Sequence, residues 1–311
     1  MANTSMEDPN PMQQRFRGCL LGLALGDALG VPFEGAGFIP PERVLAAAEN
    51  EPVLRYTDDT HMTIGAAESL IARRGFDGRD MAEKFIDNFE QEPWRGYGPG
   101  PPRIFERIKA GAPWDRAAED IYPGGSFGNG SAMRVAPIGI FFYRDLEKVI
   151  YSARLQSLIT HTHPLGVEGA ILQALAVALA VSGPKLSAPA ILKQLTPYAS
   201  EEPYRQKLVH FEALLKITDP REITARLGNG VEAINSVPTA ICCFLRHPDS
   251  YEEAVVEAVS LGGDADTIAC MAGAISGARL GIKALPEKWL AKLENRSYLD
   301  KLARDLYQAA H

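Results

Sequence analysis

The 311-residue chain has only four cysteines, Cys19, Cys242, Cys243 and Cys270, and they lack the paired spacing of zinc ligands. Each lies in an apolar run, which argues against a disulfide framework and for core thiols in a reducing compartment. Basic residues are in the minority: 32 Lys and Arg stand against 39 Asp and Glu, a net charge of −7. The two signs are interspersed and no basic stripe forms, so no direct nucleic-acid partner is expected. An anion would have to be bound locally, by backbone amides, helix N-termini or bound cations. Alternating, strand-like runs are scarce, and no Ser/Gly/Pro-rich linker divides the chain. The opening MANTSMEDPNPMQQR has neither a secretory nor a transit pattern. Residues 1–12 are therefore expected to form a disordered tail, and residues 13–311 one domain, cytoplasmic or, in a eukaryote, also nuclear.

What the chain does have is helical periodicity. Leu146, Val149, Ile150, Ala153 and Leu158 follow a cap at Asp145, and Ser250 with Glu253 reads as a capping box before Ala254 to Val259. Loops such as RGYGPGPP and YPGGSFGNG break these segments, which predicts an all-α fold, a single compact orthogonal helical bundle. In two helices a small residue recurs every four positions: Gly18, Gly22, Gly26 and Gly30, then Ala269, Gly273, Gly277 and Gly281. Glycine inside a helix costs ~1 kcal/mol relative to alanine. Such a stripe makes sense where helix backbones approach closely, so both segments belong at the centre of the bundle. Membrane helices share this spacing, but the first apolar run is interrupted by Asp27 and falls short of the ~20 residues a bilayer needs, so no membrane partner is expected.

Two acidic groups lie at helix starts about 200 residues apart. Thr57, Asp58, Asp59 and Thr60 precede the run HMTIGAAESLIARRG, which ends at Gly75, and Asp264, Asp266 and Thr267 form a GG-D-x-D-T turn before the second striped helix, Thr267 to Leu280. Capping explains one carboxylate in each group and leaves the rest over. Carboxylates and hydroxyls are hard oxygen ligands suited to Mg²⁺, Mn²⁺ or Ca²⁺, and cations would relieve the repulsion of four aspartates brought together. A loop rich in Gly124, Gly125, Gly128 and Gly130 holds Ser126, Phe127 and Asn129; its amides can cradle a diphosphate and its aromatic can stack on a base. Glu34, in GVPFEG, sits where Gly35 and Gly37 permit a mobile flap, and a carboxylate there can act as acid or base at a glycosidic bond. His161 and His163 precede an apolar helix, Leu165 to Val181, with capping or a phosphate contact as their alternatives.

Together the motifs GDALG at 26–30, YTDDT at 56–60, GNGSAMRV at 128–135 and GGDADTIA at 262–269 resemble the ADP-ribosylglycohydrolase family, in the family's order. GYG at 96–98, GGSFGNGSAMRV, THTHPLGVEGAILQALAV at 160–177 and LGNGVEAINSVPTAICCFLR at 227–246 are most similar to its vertebrate-type members that act on ADP-ribosylserine. The resemblance covers roughly residues 14–290. It implies a central site with two Mg²⁺, or Mn²⁺, ligated by Thr57, Asp58, Asp59, Asp264, Asp266 and Thr267. By the same resemblance Glu34, Asp58, Asp59 and Asp266 would take part in catalysis, and Tyr97, Gly98, Gly125, Ser126, Phe127, Gly128, Asn129 and His161 would bind substrate. A second aromatic of the vertebrate-type pattern falls at Ile121 or Tyr122 here, and His163 and Pro164 replace small residues.

The implied activity is hydrolysis of the C1″ bond between ADP-ribose and serine on proteins. Poly(ADP-ribose) and O-acetyl-ADP-ribose are further expected substrates, arginine-linked ADP-ribose the alternative linkage, and a non-catalytic ADP-ribose binder the alternative class. The expected partners are ADP-ribosylated proteins and ADP-ribose, and the expected state is a monomer. An all-helical isoprenoid synthase would need a DDxxD run, which Asp58 to Met62 do not supply.

Overall fold

The computed structural model describes residues 10–183 and 186–311. Among them every regular element is helical, and pairing of extended chain is limited to two isolated bridges, Leu54 with Leu293 and Gly128 with Glu232. The all-α expectation therefore holds. Of the expected tail, residues 1–9 lie outside the described ones, and the first helix already spans Pro11–Gly30. Its start has a local cause: the Asn10 side chain accepts from the Met12 N–H, and Pro11 occupies a first-turn position whose amide would have no helical partner.

This first helix is buried at every residue from Gly18 to Gly30, and its most extensive neighbour is the Ala265–Leu280 helix. The glycine stripes are where they touch. A Cβ on Gly18 would stand 2.3 Å from the Gly277 carbonyl oxygen, one on Gly22 2.7 Å from that of Gly273, and one on Gly26 2.1 Å from that of Ala269. Steps of four up one helix meet steps of four down the other, so the pair is antiparallel. The next step sets Gly30 against the backbone of Asp266, where a Cβ would lie 2.3 Å from its Cα. The end of the first helix is thereby fixed to the start of the second acidic helix.

Length does not decide the membrane question as the sequence suggested. Pro11–Phe33 and Pro164–Ser182 are both long and apolar enough to cross a bilayer, but 83% and 89% of their apolar windows are buried inside the protein. Pro164–Ser182 packs on the Leu146–Leu158, Ala233–Arg246 and Ala265–Leu280 helices and is capped by His163, whose Nδ1 accepts from the Leu165 N–H at 3.1 Å. Pro238 lies inside Ala233–Arg246 and cannot donate to the Ile234 carbonyl four residues back. Lys207 supplies the missing donor, its Nζ reaching Ile234 O at 2.8 Å and Asn235 Oδ1 at 2.7 Å.

The expected caps form in part. Asp145 accepts from the Lys148 N–H and Ser250 from the Glu253 N–H, but the return half of the capping box is absent; Glu253 turns instead to His247 Nδ1 at 3.5 Å. The Asp58–Arg73 helix stops two residues before Gly75, at Arg74 in the left-handed region with φ 51°.

The stripe predicts a contrast. Gly26→Ala should destabilise the protein by about 1–3 kcal/mol through overpacking. Gly37→Ala, with no atom within 4 Å of the added carbon, should change stability by under about 0.5 kcal/mol. Urea unfolding of the two variants checks this; equal midpoints would remove the close approach as a determinant of stability.

Candidate functional site

Three helix ends meet around Asp27. This residue, one turn from the end of the first helix, is 0% exposed. Its carboxylate accepts from the Thr57 N–H at 3.1 Å and hydroxyl at 2.9 Å, and from the Thr60 N–H at 3.1 Å and hydroxyl at 2.6 Å. Thr57 is itself the cap of the Asp58–Arg73 helix, accepting from the Asp59 N–H at 3.3 Å. Capping thus falls to a threonine and leaves both aspartates free for other work. Asp264 stands at the cap position of Ala265–Leu280 but caps nothing; its carboxylate accepts from the Asn129 side-chain amide.

Both acidic groups therefore open into one place. The turn before Asp264 needs left-handed backbone at Gly262 (φ 68°) and Gly263 (φ 67°), and the Asp264 N–H donates to the Asn229 carbonyl at 2.8 Å. Glu34 joins from the end of the 3₁₀ turn Val31–Phe33, and one carboxylate oxygen from each of Glu34, Asp264 and Asp266 lies within 4.8 Å of the other two. The Glu34 loop is a tethered turn in this structure: the Gly35 N–H donates to Gly263 O at 2.7 Å and the Gly263 N–H to Ala36 O at 2.8 Å.

Burial is the largest influence on the five aspartates, and repulsion from neighbouring carboxylates adds to it for all but Asp27. Asp58 is pushed up to about 7 and Asp266 to about 8, by burial first and then by neighbouring carboxylates, while Asp59 is raised by the same causes. Asp27 and Asp264 rise to about 6, where burial outweighs their hydrogen bonds. Asp59 Oδ2 and Asp266 Oδ1 are buried without any hydrogen-bond partner. Orphaned, crowded oxygens of this kind are what a hard divalent cation would satisfy, so this donor set fits a metal ion.

The carboxylates face a cavity of about 340 Å³. Glu34, Thr57, Asp58, Asp59, Asp264, Asp266 and Thr267 line it, as do Gly98, Ser126, Gly128, Asn129 and His161 of the expected substrate residues. The glycine loop is held in place by the segment ahead of Ala233–Arg246, through Asn129 N–H to Val231 O at 2.9 Å and Ala233 N–H to Phe127 O at 3.0 Å. Tyr97, Gly125 and Phe127 are not among the lining residues. Tyr97 is a wedge behind the wall, its hydroxyl 2.8 Å from His61 Nδ1 and its ring edge-on to Phe89. Gly125 (φ 86°) faces Thr162, and Phe127 is 48% exposed against His163.

Sequence reasoning gave three residues here no role, Asp27, Arg134 and Thr160, and left the second aromatic open between Ile121 and Tyr122. Asp27 was read as an interruption of an apolar run and as part of GDALG, without a role of its own, although a lone acid on a glycine-striped face was the signal. Tyr122 lines the cavity, whereas Ile121 packs into the small cluster of Ile104, Ala117 and Ala118. Arg134 and Thr160 also line it; both lie in quoted motifs, GNGSAMRV and THTHPLGVEGAILQALAV, which did not distinguish them from their neighbours.

Helix-borne carboxylates around a ligand-sized cavity define a protein with a candidate divalent-cation site. The chain belongs to the ADP-ribosylglycohydrolase family, whose model matches residues 8–311. It is 38% identical to ADP-ribosylhydrolase ARH3 of Homo sapiens, over 94% of this chain and 93% of that protein, and equally to that of Mus musculus, over 94% and 91%. An uncharacterized protein of Archaeoglobus fulgidus is 33% identical over 96% of this chain and 97% of its own. A solved chain described as an ADP-ribosylglycohydrolase-related protein complex superposes with a TM-score of 0.76 at 27% identity, covering 96% of this chain and 99% of that one.

The raised carboxyl groups predict a pH dependence with a definite sign. Their ordinary value in the unfolded chain is about 4, below the values of about 6 to 8 in the folded protein. The folded state binds more protons, so their contribution is fully present below about pH 4 and is lost as pH rises to about 8. In chelator, melting temperature should fall between pH 5 and pH 8 relative to an Asp58→Asn/Asp266→Asn variant. Added divalent cation should abolish the difference; parallel curves without cation would refute the assignment.

Proposed function

We propose that the protein is a Mg²⁺-dependent hydrolase that cleaves the C1″ bond joining ADP-ribose to serine side chains on proteins and releases ADP-ribose. The observation that carries this reading is the convergence of both acidic helix starts with Glu34 in a cavity that the glycine loop also lines. The 38% identity to proteins named ADP-ribosylhydrolase supports the substrate class. Serine as the acceptor rests on the GYG and GGSFGNGSAMRV motifs.

Thr57, Asp58, Asp59, Asp264, Asp266 and Thr267 would hold two Mg²⁺ or Mn²⁺ ions, as the unpartnered oxygens of Asp59 and Asp266 favour. When bound, the ions supply Lewis-acid polarisation and neutralise the carboxylates. Asp27 lies one step behind, orienting Thr57 and Thr60 through its hydrogen bonds. Glu34 takes a proton from the attacking water as the water oxygen bonds to C1″ and the C1″–O bond to serine breaks, and the departing serine oxygen receives that proton. The transition state is oxocarbenium-like, and the cavity contributes by holding its parts in position. Ser126, Gly128 and Asn129 line the diphosphate end. Tyr122, against which a Cβ on Gly100 would press at 3.0 Å, gives the adenine a cavity-facing ring, and Phe127 meets it from the rim.

Glu34→Ala should lower turnover by at least about 100-fold and leave ADP-ribose affinity within about threefold. Asp264→Asn should weaken metal and ADP-ribose binding together. Turnover measured side by side on serine-linked and arginine-linked ADP-ribosyl peptides tests the linkage, and activity on the arginine peptide alone would overturn it. Tyr122→Ala should raise KM several-fold at nearly constant kcat; an unchanged KM would take the base away from that ring.

A further inference from the structure

Arg134 follows the four-residue helix Gly130–Met133 and is 0% exposed, yet it forms no ion pair with a carboxylate among the described residues. Its guanidinium lies over the Phe85 ring at 4.5 Å and is held by uncharged groups. Nε donates to Gln156 Oε1 at 2.9 Å, and Nη2 donates to the Gln156 carbonyl at 3.1 Å and to Thr160 Oγ1 at 2.8 Å. A buried cation without a carboxylate partner is costly to keep. Among the described residues that line the cavity, Arg134 is the one arginine or lysine.

The bond to Thr160 has a consequence for the next residue. Thr160 is 2% exposed, and its hydroxyl has two partners, Arg134 Nη2 and His161 Nδ1, the latter at 2.7 Å. An arginine N–H can only donate, so Thr160 accepts from it. The hydroxyl proton then has one acceptor in reach, His161 Nδ1, and leaving it unpaired in the interior would be costly. A neutral imidazole that accepts at Nδ1 carries its proton on Nε2. That nitrogen has no hydrogen-bond partner within the described protein, and His161 lines the cavity. The glycine loop leaves it uncovered: a Cβ on Gly128 would lie 3.3 Å from Nε2, and one on Gly130 2.8 Å from Cε1. Burial first, and the Arg134 charge second, lower the His161 value to about 3, so the ring stays neutral near pH 7.

We infer that Arg134 is a positioning residue that, through the Thr160 hydroxyl, holds His161 in its Nε2–H tautomer and presents one fixed N–H donor to an anionic oxygen of the cavity ligand. The inference rests on the ADP-ribose reading for the identity of that ligand, a diphosphate, and on geometry alone for the tautomer. The donor needs no protonation to work and does not depend on the metal ions.

The tautomer can be read directly in the free protein labelled with ¹⁵N-histidine, using His161→Gln to assign the signal among the six histidines. Wild type should show Nδ1 unprotonated and Nε2 protonated. Thr160→Val should give a mixed or Nδ1-protonated ring and weaken ADP-ribose binding by about tenfold or more. Thr160→Ser, which restores the hydroxyl, should restore both. Arg134→Met should disturb the tautomer and Arg134→Lys should keep it. Nδ1 protonation in wild type, or an undisturbed Nε2–H tautomer in Thr160→Val, would overturn the inference. Wild-type protein that shows the tautomer but fails to bind ADP-ribose would uphold the relay and count against the substrate reading.

Discussion

The contact between two helix backbones at Gly18, Gly22 and Gly26 determines where everything else in this protein can stand. Without side chains between them the two helices approach until carbonyl oxygens touch α-carbons, and this fixes their register as well as their separation. Because the pair is antiparallel, the last turn of one helix lies beside the first turn of the other. Asp27 and the Asp264–Asp266 turn are neighbours for that reason, although more than 200 residues separate them in the chain. The third helix end is then added by hydrogen bonds, with Thr57 and Thr60 gripping the Asp27 carboxylate.

The site made in this way has two electrostatic characters. On one side buried carboxylates compete for the same space and hold protons well above the usual carboxylate range. On the other, Arg134 is buried among uncharged partners and His161 is held neutral. Each half alone is an expensive arrangement, since the interior screens charge weakly. A ligand that brings anionic oxygens to the second half, with cations on the first, would satisfy both. The wall around them is stiffened from outside. Val231 and Ala233 clamp the glycine loop, and the Gly263 turn and the Glu34 loop hold one another by a reciprocal pair of backbone hydrogen bonds.

Much of this was legible in the sequence, and what was missed has physical causes. The helices showed because their apolar spacing is long and regular, and the acidic groups showed because two adjacent aspartates exceed what a cap requires. Asp27 was hidden by its setting, since a single acid in an apolar helix reads as a break in hydrophobicity until its partners are known. Arg134 was hidden because a buried arginine paired with backbone and amide oxygens carries no complementary charge in the sequence. The places of Tyr97 and Phe127 could not be read from the sequence: an aromatic beside a glycine can pack behind a wall or on its rim as readily as face the ligand. The expected tail ran to residue 12 because the opening is polar, whereas Pro11 at the first turn starts the helix. The length argument against a membrane span failed because one buried acid does not shorten a helix.

The register of the striped helices also sets an order in time. Pro11–Gly30 leaves the ribosome more than 200 residues ahead of Ala265–Leu280, the helix its buried face packs on. At about 5–20 residues per second, tens of seconds pass before Ala265–Leu280 emerges. Through that interval the nascent chain carries an unshielded apolar helix, and its acidic pocket lacks half its members. Completion of the core and assembly of the chemistry are consequently a single late event in the life of the polypeptide.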